Sequence, residues 1–335
     1  MNNTVSIIIP NFNEEFYLKD CIMSLLSNGF SADNLEILVI DGGSKDNSRK
    51  IVSDIQQNYK QVKWLENPKK FTPYALNIGI KEASGEYILI ASAHSQFSPN
   101  YISELMRNMQ ELDADVVGGV METKIKNTNS TSVAIKTVLS NKFGVGNSMF
   151  RIGTDKPTQV DTVPFGLYKT NLLRSINGYR EDLIRNHDIE MSKRLLARGA
   201  KIYLIPDAKC TYFARETFGK LAKNNYNNGK WILLTVYLTK NISSLSIRHF
   251  VPLMFIFSLF LPLIASVFFW PLAGISVISI LAYLLMISLI VIKIIKTTPT
   301  TYLKLVKAFF VLHFSYGIGS IVGLFKFYKF LNSSN

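Results

Sequence analysis

Between Phe250 and Ile292 the chain runs for 43 residues without a charged side chain. A helix that crosses a bilayer needs about 20 apolar residues, so this run holds two spans. Trp270-Pro271 sits at its centre and supplies the turn or break between them. The expected arrangement is a helical hairpin, residues 250–270 out and 271–292 back. Lys293, Lys296 and Lys304 follow the hairpin and Arg248 precedes it, which assigns those ends to the cytosol by the positive-inside rule. A third apolar stretch, about 305–325, contains Lys307, His313 and three glycines, Gly317, Gly319 and Gly323. It reads either as a span or as a helix along the interface. The region 250–328 as a whole reads as an anchor in preference to a transport pathway.

The charge follows the same division. The 335 residues carry 37 Lys and Arg against 24 Asp and Glu, and every acid lies at or before Glu216. The basic excess therefore belongs to the apolar end, which points to a membrane surface and away from nucleic acid. With 48% hydrophobic and only 18% charged residues, a disordered chain is excluded. Cys21 and Cys210 stand far apart with no motif around them, so no disulfide framework is expected and a reducing compartment fits. Met1-Asn2-Asn3-Thr4 offers no basic n-region, so no secretory signal is read there.

Before the anchor, short apolar runs alternate with helix-like stretches. Strands are predicted at 5–9, 35–40, 62–65, 86–91 and 115–121, and helices at 15–27, 46–57, 73–83 and 99–111. Such alternation implies an α/β fold with a parallel sheet and helices on both faces. Sheets of this kind bind ligands outside the carboxyl ends of their strands. The residues to question are Pro10-Asn11-Phe12-Asn13-Glu14, Asp41-Gly42-Gly43-Ser44-Lys45-Asp46 and Ser92-Ala93-His94-Ser95. They offer an aromatic face, carboxylates and an acidic, glycine-rich turn into a helix. A carboxylate there can accept from a base N–H or a ribose hydroxyl, whereas a phosphate would be repelled. Neither a G-x-G-x-x-G after the first strand nor a P-loop occurs. Taken alone, Asp41 could equally belong to a helix-entry turn capped by Asp46 or Ser44.

The segments Ile-Ile-Ile-Pro-Asn-Phe-Asn-Glu-Glu (7–15) and Val-Ile-Asp-Gly-Gly-Ser-Lys-Asp (39–46) resemble the opening of family 2 glycosyltransferases of the GT-A fold. Further segments are similar to the succinoglycan-type, membrane-associated glucosyltransferases of bacterial polysaccharide assembly. They are Phe-Gly-Val-Gly-Asn-Ser (143–148), Asp-Thr-Val-Pro-Phe-Gly (161–166), Arg-Asn-His-Asp (185–188) and Tyr-Asn-Asn-Gly-Lys-Trp (226–231). Each is weak alone; their order and spacing are specific, and the likeness covers nearly the whole chain.

The resemblance implies a Rossmann-like, mostly parallel GT-A domain over 1–216, an amphipathic interfacial segment over 217–249 and transmembrane helices over 250–328. It implies that Pro10, Phe12, Glu14 and Asp41 hold the base and ribose of the nucleotide, with Asp41 facing the base, that Asn77 lines the sugar-diphosphate cleft, and that Asp188 is the catalytic base. Lys230 and Trp231 fall on a basic-aromatic pair near the diphosphate and acceptor, and the Asp-x-Asp metal position falls on Ser92-Ala93-His94. Here the chain departs from the pattern, because Ser92 replaces the first acid and is a poor ligand for a hard ion. His94 replaces the second and suits Mn²⁺ better than Mg²⁺; the reading weighed against this is a neutral contact without metal. Lys230 stands where arginine is common and gives a point charge in place of a fork.

Residues 188–198 read as a helix, so Asp188 is either its N-terminal cap or a carboxylate kept charged there by the helix dipole. Residues 217–250 interleave Phe218, Tyr226, Trp231 and Tyr237 with Lys220, Lys223, Lys230 and Lys240, as a helix in the interface plane would; the plainer alternative is a surface helix packed on the sheet. The resulting expectation is a multi-pass inner-membrane or plasma-membrane enzyme with a cytoplasmic catalytic domain. It would move a sugar, glucose from a UDP-linked donor, to a polyprenyl-diphosphate-linked saccharide, inverting with one Asp base and a divalent cation (Mn²⁺ or Mg²⁺). The rivals are transfer directly to polyprenyl phosphate, and a degenerate transferase that acts as a binding scaffold.

Overall fold

The computed structural model describes residues 3–240 and 245–333, without the side chains of Ala32 and of residues 326–333. Residues 241–244 of the expected interfacial segment, and the side chains of 326–328 in the expected membrane region, lie outside it. Along the chain come β1 (Val5–Asn11), α1 (Leu18–Leu26), β2 (Leu35–Asp41), α2 (Ser48–Gln56), β3 (Val62–Glu66), α3 (Thr72–Glu82), β4 (Tyr87–Ile90), β5 (Ser95–Phe97), α4 (Tyr101–Glu111) and β6 (Val116–Lys124). Next are α5 (Ser130–Leu139), α6 (Lys142–Val145), α7 (Met149–Ile152), β7 (Thr158–Gln159), β8 (Leu167–Lys169), α8 (Thr170–Ser175), α9 (His187–Ala197) and β9 (Ile202–Phe213). The tail holds α10 (Phe218–Thr239), α11 (Val251–Ala265), α12 (Ala273–Ile295) and α13 (Tyr302–Ser333). Contacts divide the chain into two compact units, one of residues up to 122 with 149–213, the other of 123–148 with the chain from 214 onward.

The first unit is built on the sheet β3-β2-β1-β4-β8-β6-β9-β5, with β7 against β9. β3, β2, β1 and β4 are parallel, as the alternating pattern predicts, while β8 runs antiparallel between β4 and β6. β2 is buried at every position, because helices cover both faces, and a strand covered on both sides is mostly apolar. Ile7, Ile9, Ile37 and Val39 pack with α1, α2 and α4 on one face. Ile8, Leu38 and Ile40 pack with α3, α8 and α9 on the other. One polar group sits inside β2: Glu36, 8% exposed, accepts from Ser6 Oγ at 2.6 Å, Ser84 N at 3.0 Å and Lys63 Nζ at 2.7 Å. The parallel register sets Asn11 beside Asp41 and Ile8 beside Ile90, so the ends of β1, β2 and β4 share one edge.

In the second unit three helical segments are long and apolar enough to cross a membrane: Ile247–Ala265, Trp270–Ile295 and Tyr302–Phe325. The expected break appears as a single 3₁₀ turn at Trp270–Leu272 between α11 and α12. At that tip Phe268 and Trp270 are 93% and 81% exposed, as lipid-facing side chains are. α5 packs Ala134, Ile135 and Val138 into a core with Tyr283 and Ile287 of α12 and Leu305, Phe309 and Leu312 of α13. α10 lies against α13 by way of glycines. A Cβ on Gly229 would fall 1.9 Å from the Tyr316 carbonyl, one on Gly319 2.0 Å from that of Tyr226, and one on Gly323 2.5 Å from that of Lys230. The pairs 226/319 and 230/323 advance together, so the two helices run parallel, backbone to backbone.

Candidate active site

The ends of β1 and β2 are laced into one edge. Asp41 is 3% exposed. Its Oδ2 accepts from the backbone N–H of Gly43 at 2.9 Å and Ser44 at 2.8 Å. Its Oδ1 accepts from Asn11 Nδ2 at 2.8 Å and Ser44 Oγ at 2.5 Å. A carboxylate has about four acceptor positions, and protein donors meet this one four times. Gly43 (φ +85°) allows the turn. Across it, Ser44 Oγ accepts from Asn13 N, Asn13 Oδ1 from Lys45 N, and Asp46 Oδ2 from Glu15 N, at 2.8–2.9 Å. Burial works against the Asp46 charge, but donation from Ser48 and Glu15 prevails and holds its carboxyl below the usual range. Pro10 pairs with Ile40 in register, and Phe12, 53% exposed, stands out from this braced edge.

Glu14 reaches the neighbouring strand end, where its Oε1 lies 3.3 Å from Nδ1 of His94. Ser92 Oγ sits 3.3 Å from the same nitrogen. The turn is set by Ser95 N donating to Ser92 O at 3.0 Å. Because β5 pairs Ser95 with Tyr212 of β9, the Tyr212 ring meets His94 edge-on at 6.1 Å, and Tyr17 meets it at 6.5 Å. Among the described residues no three His, Cys, Asp or Glu side chains converge as a metal cage. His94 and Glu14 present one nitrogen and one carboxylate oxygen, a set that fits only an ion whose other positions come from phosphate and water, a common mode for Mg²⁺.

Asn77, on α3, faces the loop that leads into α9. Its Nδ2 donates to Tyr179 O at 2.8 Å and Glu181 Oε1 at 3.1 Å, and its Oδ1 accepts from Tyr179 N at 2.8 Å. Gly178 (φ +61°) is required there, since a Cβ would sit 2.4 Å from Asn77 Oδ1. Asp188 is exposed in the first turn of α9. Its charge and, above all, burial push the phenols of Tyr168 and Tyr179 upward, so they stay neutral beneath it. Burial likewise holds the His187 imidazole below its usual range despite the Asp188 charge. Glu190 is 4% exposed and pairs with Arg194 at 2.8 Å. Segment 161–166 runs beside α9 through Thr162–Ser192 at 3.2 Å and Asp161–Lys193 at 3.6 Å.

Direct hydrogen bonds thus join the residues around Pro10, Phe12, Glu14 and Asp41 to His94, while Asn77 and Asp188 are connected through the 177–187 loop. Lys230 and Trp231 lie on α10 in the second unit, as does segment 143–148. There Phe143 O accepts from His313 Nε2 at 2.9 Å and Asn147 Oδ1 from Arg248 Nη1 at 3.0 Å. Sequence reading missed Tyr17 and Tyr212, which come to His94 only through folding. It also missed Asn11 and Ser44 as the donors that fill Asp41, although both sit inside the segments singled out.

The profile of the family described as Glycosyl transferase family 2 matches residues 6–176, just over half of the chain. The chain is 28% identical over 235 residues to the dolichyl N-acetyl-alpha-D-glucosaminyl phosphate 3-beta-D-2,3-diacetamido-2,3-dideoxy-beta-D-glucuronosyltransferase of Methanococcus voltae, covering 68% of this chain and 72% of that one. It is 26% identical over 211 residues to the succinoglycan biosynthesis protein ExoA of Rhizobium meliloti, covering 62% and 63%. Among solved structures, the mannosyltransferase PcManGT from Pyrobaculum calidifontis superposes with a TM-score of 0.62 at 13% identity, over 95% of this chain and 86% of that one. The first unit accordingly has the GT-A fold, and the chain belongs to glycosyl transferase family 2 and is a glycosyltransferase.

Proposed function

We propose that this glycosyltransferase is membrane-anchored and moves a hexosyl group, glucose from a UDP-linked donor, to a polyprenyl-diphosphate-linked saccharide. The observation that carries the reading is the braced strand edge: Phe12 stands exposed beside a turn fixed by Asp41, and Glu14 and His94 meet at its side. Phe12 and Pro10 would pack on the base, and Asp41 would act on the nucleotide through the turn it holds. His94 and Glu14 would hold a divalent ion shared with the diphosphate; such an ion supplies charge neutralisation for the leaving group. One relative, named as a transferase acting on a dolichyl N-acetylglucosaminyl phosphate, supports a lipid-linked acceptor.

In the displacement, an acceptor hydroxyl oxygen attacks the anomeric carbon from the face opposite the diphosphate. Its proton passes to the Asp188 carboxylate, the bond from the anomeric carbon to the diphosphate oxygen breaks, and the nucleoside diphosphate leaves with the electron pair. One base serving one displacement gives inversion. The position of Asp188 in the first turn of a helix favours the charged form that a base needs. Lys230 and Trp231 would serve the acceptor or diphosphate from α10.

The membrane arrangement follows from parity. If α11 leaves the cytosol beside Arg248 and α12 returns to Lys293 and Lys296, α10 begins and ends on the cytosolic side. With Lys220, Lys223 and Lys230 along it, it would lie in the interface plane. α13 is paired to it in parallel and touches α5 along its first half. That supports two spans, with α13 on the membrane surface, over three. Transfer assays on membranes with UDP-sugars test the whole reading: release of UDP that depends on lipid-linked acceptor supports it, and no release from any nucleotide-sugar contradicts it.

A further inference from the structure

The Tyr212 ring that meets His94 has a second neighbour. The guanidinium carbon of Arg151, on α7, lies 5.1 Å from the Tyr212 centroid and 5.6 Å from that of Phe150, within cation–π range. Its Nη1 is shielded from solvent and has no hydrogen-bond partner. Among the described residues no carboxylate pairs with it. Burial works against its charge, and the groups that offset this are the Tyr212 phenol and the Cys210 thiol. The Cys210 thiol is no counter-ion near neutral pH, since burial pushes it up to about 12. A guanidinium cannot shed its proton in a protein, and a shielded guanidinium nitrogen left without an acceptor is unfavourable. A cation kept in this state is complete only when an anion arrives.

We infer that Arg151 is a phosphate-binding residue, held on the Tyr212 shelf so that Nη1 can donate to the diphosphate of the nucleotide donor seated beside His94 and Glu14. The inference rests on reading the His94 corner as the donor site. A guanidinium is a planar fork of N–H donors that matches phosphate oxygens, and the Tyr212 and Phe150 rings hold this one in place. The phosphates of a lipid-linked acceptor have the same chemistry, and the experiment separates the two sources.

Pyrophosphate, UDP and uridine are titrated calorimetrically into the detergent-solubilised full chain, as wild type, Arg151→Gln and Arg151→Lys. The expected result is that Arg151→Gln weakens pyrophosphate and UDP by roughly tenfold or more and leaves uridine within about twofold. Arg151→Lys should fall between, because it keeps the charge and loses the fork. Unchanged pyrophosphate affinity overturns the assignment, as does an equal loss for uridine, which marks general damage. A raised KM for the lipid acceptor with pyrophosphate and UDP unchanged overturns it in favour of the lipid phosphate. Should Arg151→Gln not accumulate as folded protein, the lysine variant alone decides by the same comparison. Failure of wild type to bind UDP would remove the proposed donor, while the pyrophosphate titration would still judge Arg151.

Discussion

The carboxylate of Glu14 and the imidazole of His94 meet at 3.3 Å although 80 residues separate them, because parallel pairing of β1 with β4 sets Ile8 beside Ile90. Each follows its strand by a few residues, so two strand ends place an oxygen and a nitrogen on one side of a shared edge.

If an ion is shared at this corner, His94→Ala and Glu14→Gln should each weaken Mn²⁺ binding measured in the presence of UDP by about tenfold, one lost ligand of a few. Calorimetric titration of Mn²⁺ into the UDP complex reads this directly. Unaltered Mn²⁺ affinity in both variants would assign the pair a purely structural contact.

Asp41 holds its turn with four accepted hydrogen bonds. Asp41→Asn puts an amide against donors that need an acceptor, and should cost about 1–3 kcal/mol of stability together with most of the UDP affinity. Ser44→Ala removes a single donor and should do less of both. Thermal unfolding and UDP calorimetry on the same samples check the coupling; lost stability with intact UDP binding would separate the turn from the nucleotide.

Glu36 predicts a pH dependence. Burial alone would raise its pKa, but donation from Lys63, Ser6 and Ser84 prevails and the carboxyl lies below its ordinary value. A depressed folded pKa contributes stability above the unfolded value, near 4.3, and that contribution is lost as pH falls through the folded value. Glu36→Gln should therefore be less stable than wild type at pH 7 by about 1–3 kcal/mol, with the deficit shrinking below pH about 4. A constant deficit from pH 7 to pH 3, read by thermal unfolding, would contradict the assignment.

Much of this was legible in the order of residues. The predicted parallel strands and their helices appear within two or three residues of their expected limits, because strands covered on both sides, such as β2, are mostly apolar and Gly42-Gly43 follows directly on the end of β2. The antiparallel β8 and the short β5 escaped: three residues carry no periodicity, and their strand form comes from partners far away in the chain. Asp41 was visible as a polar group at a strand end and Asn77 only through the family resemblance, and the hydrogen-bond partners of both depend on loop geometry that spacing does not encode. The 317–323 glycines were visible too. Only the structure shows that they admit the backbone of α10.

Interfacial placement of α13 can be read with a thiol probe. Burial pushes Cys21 and Cys210 up to about 12, so both should be silent toward maleimide. Leu324→Cys, 39% exposed in the native residue, should then be labelled by an impermeant maleimide in inside-out vesicles and not in right-side-out ones. The reverse pattern would make α13 a third span. Gly319→Leu should disrupt the α10–α13 contact and lower the yield of folded protein, because backbone is what a side chain would meet there.

If Asp188 is the base, donor and acceptor chemistry converge on it. With detergent-solubilised full chain, UDP-sugar and lipid-linked acceptor, Asp188→Asn should bind UDP as wild type does while turnover falls by about 10²–10⁴-fold. Turnover equal to wild type at matched UDP affinity would show that the proton leaves by another route and that the account of the site is wrong.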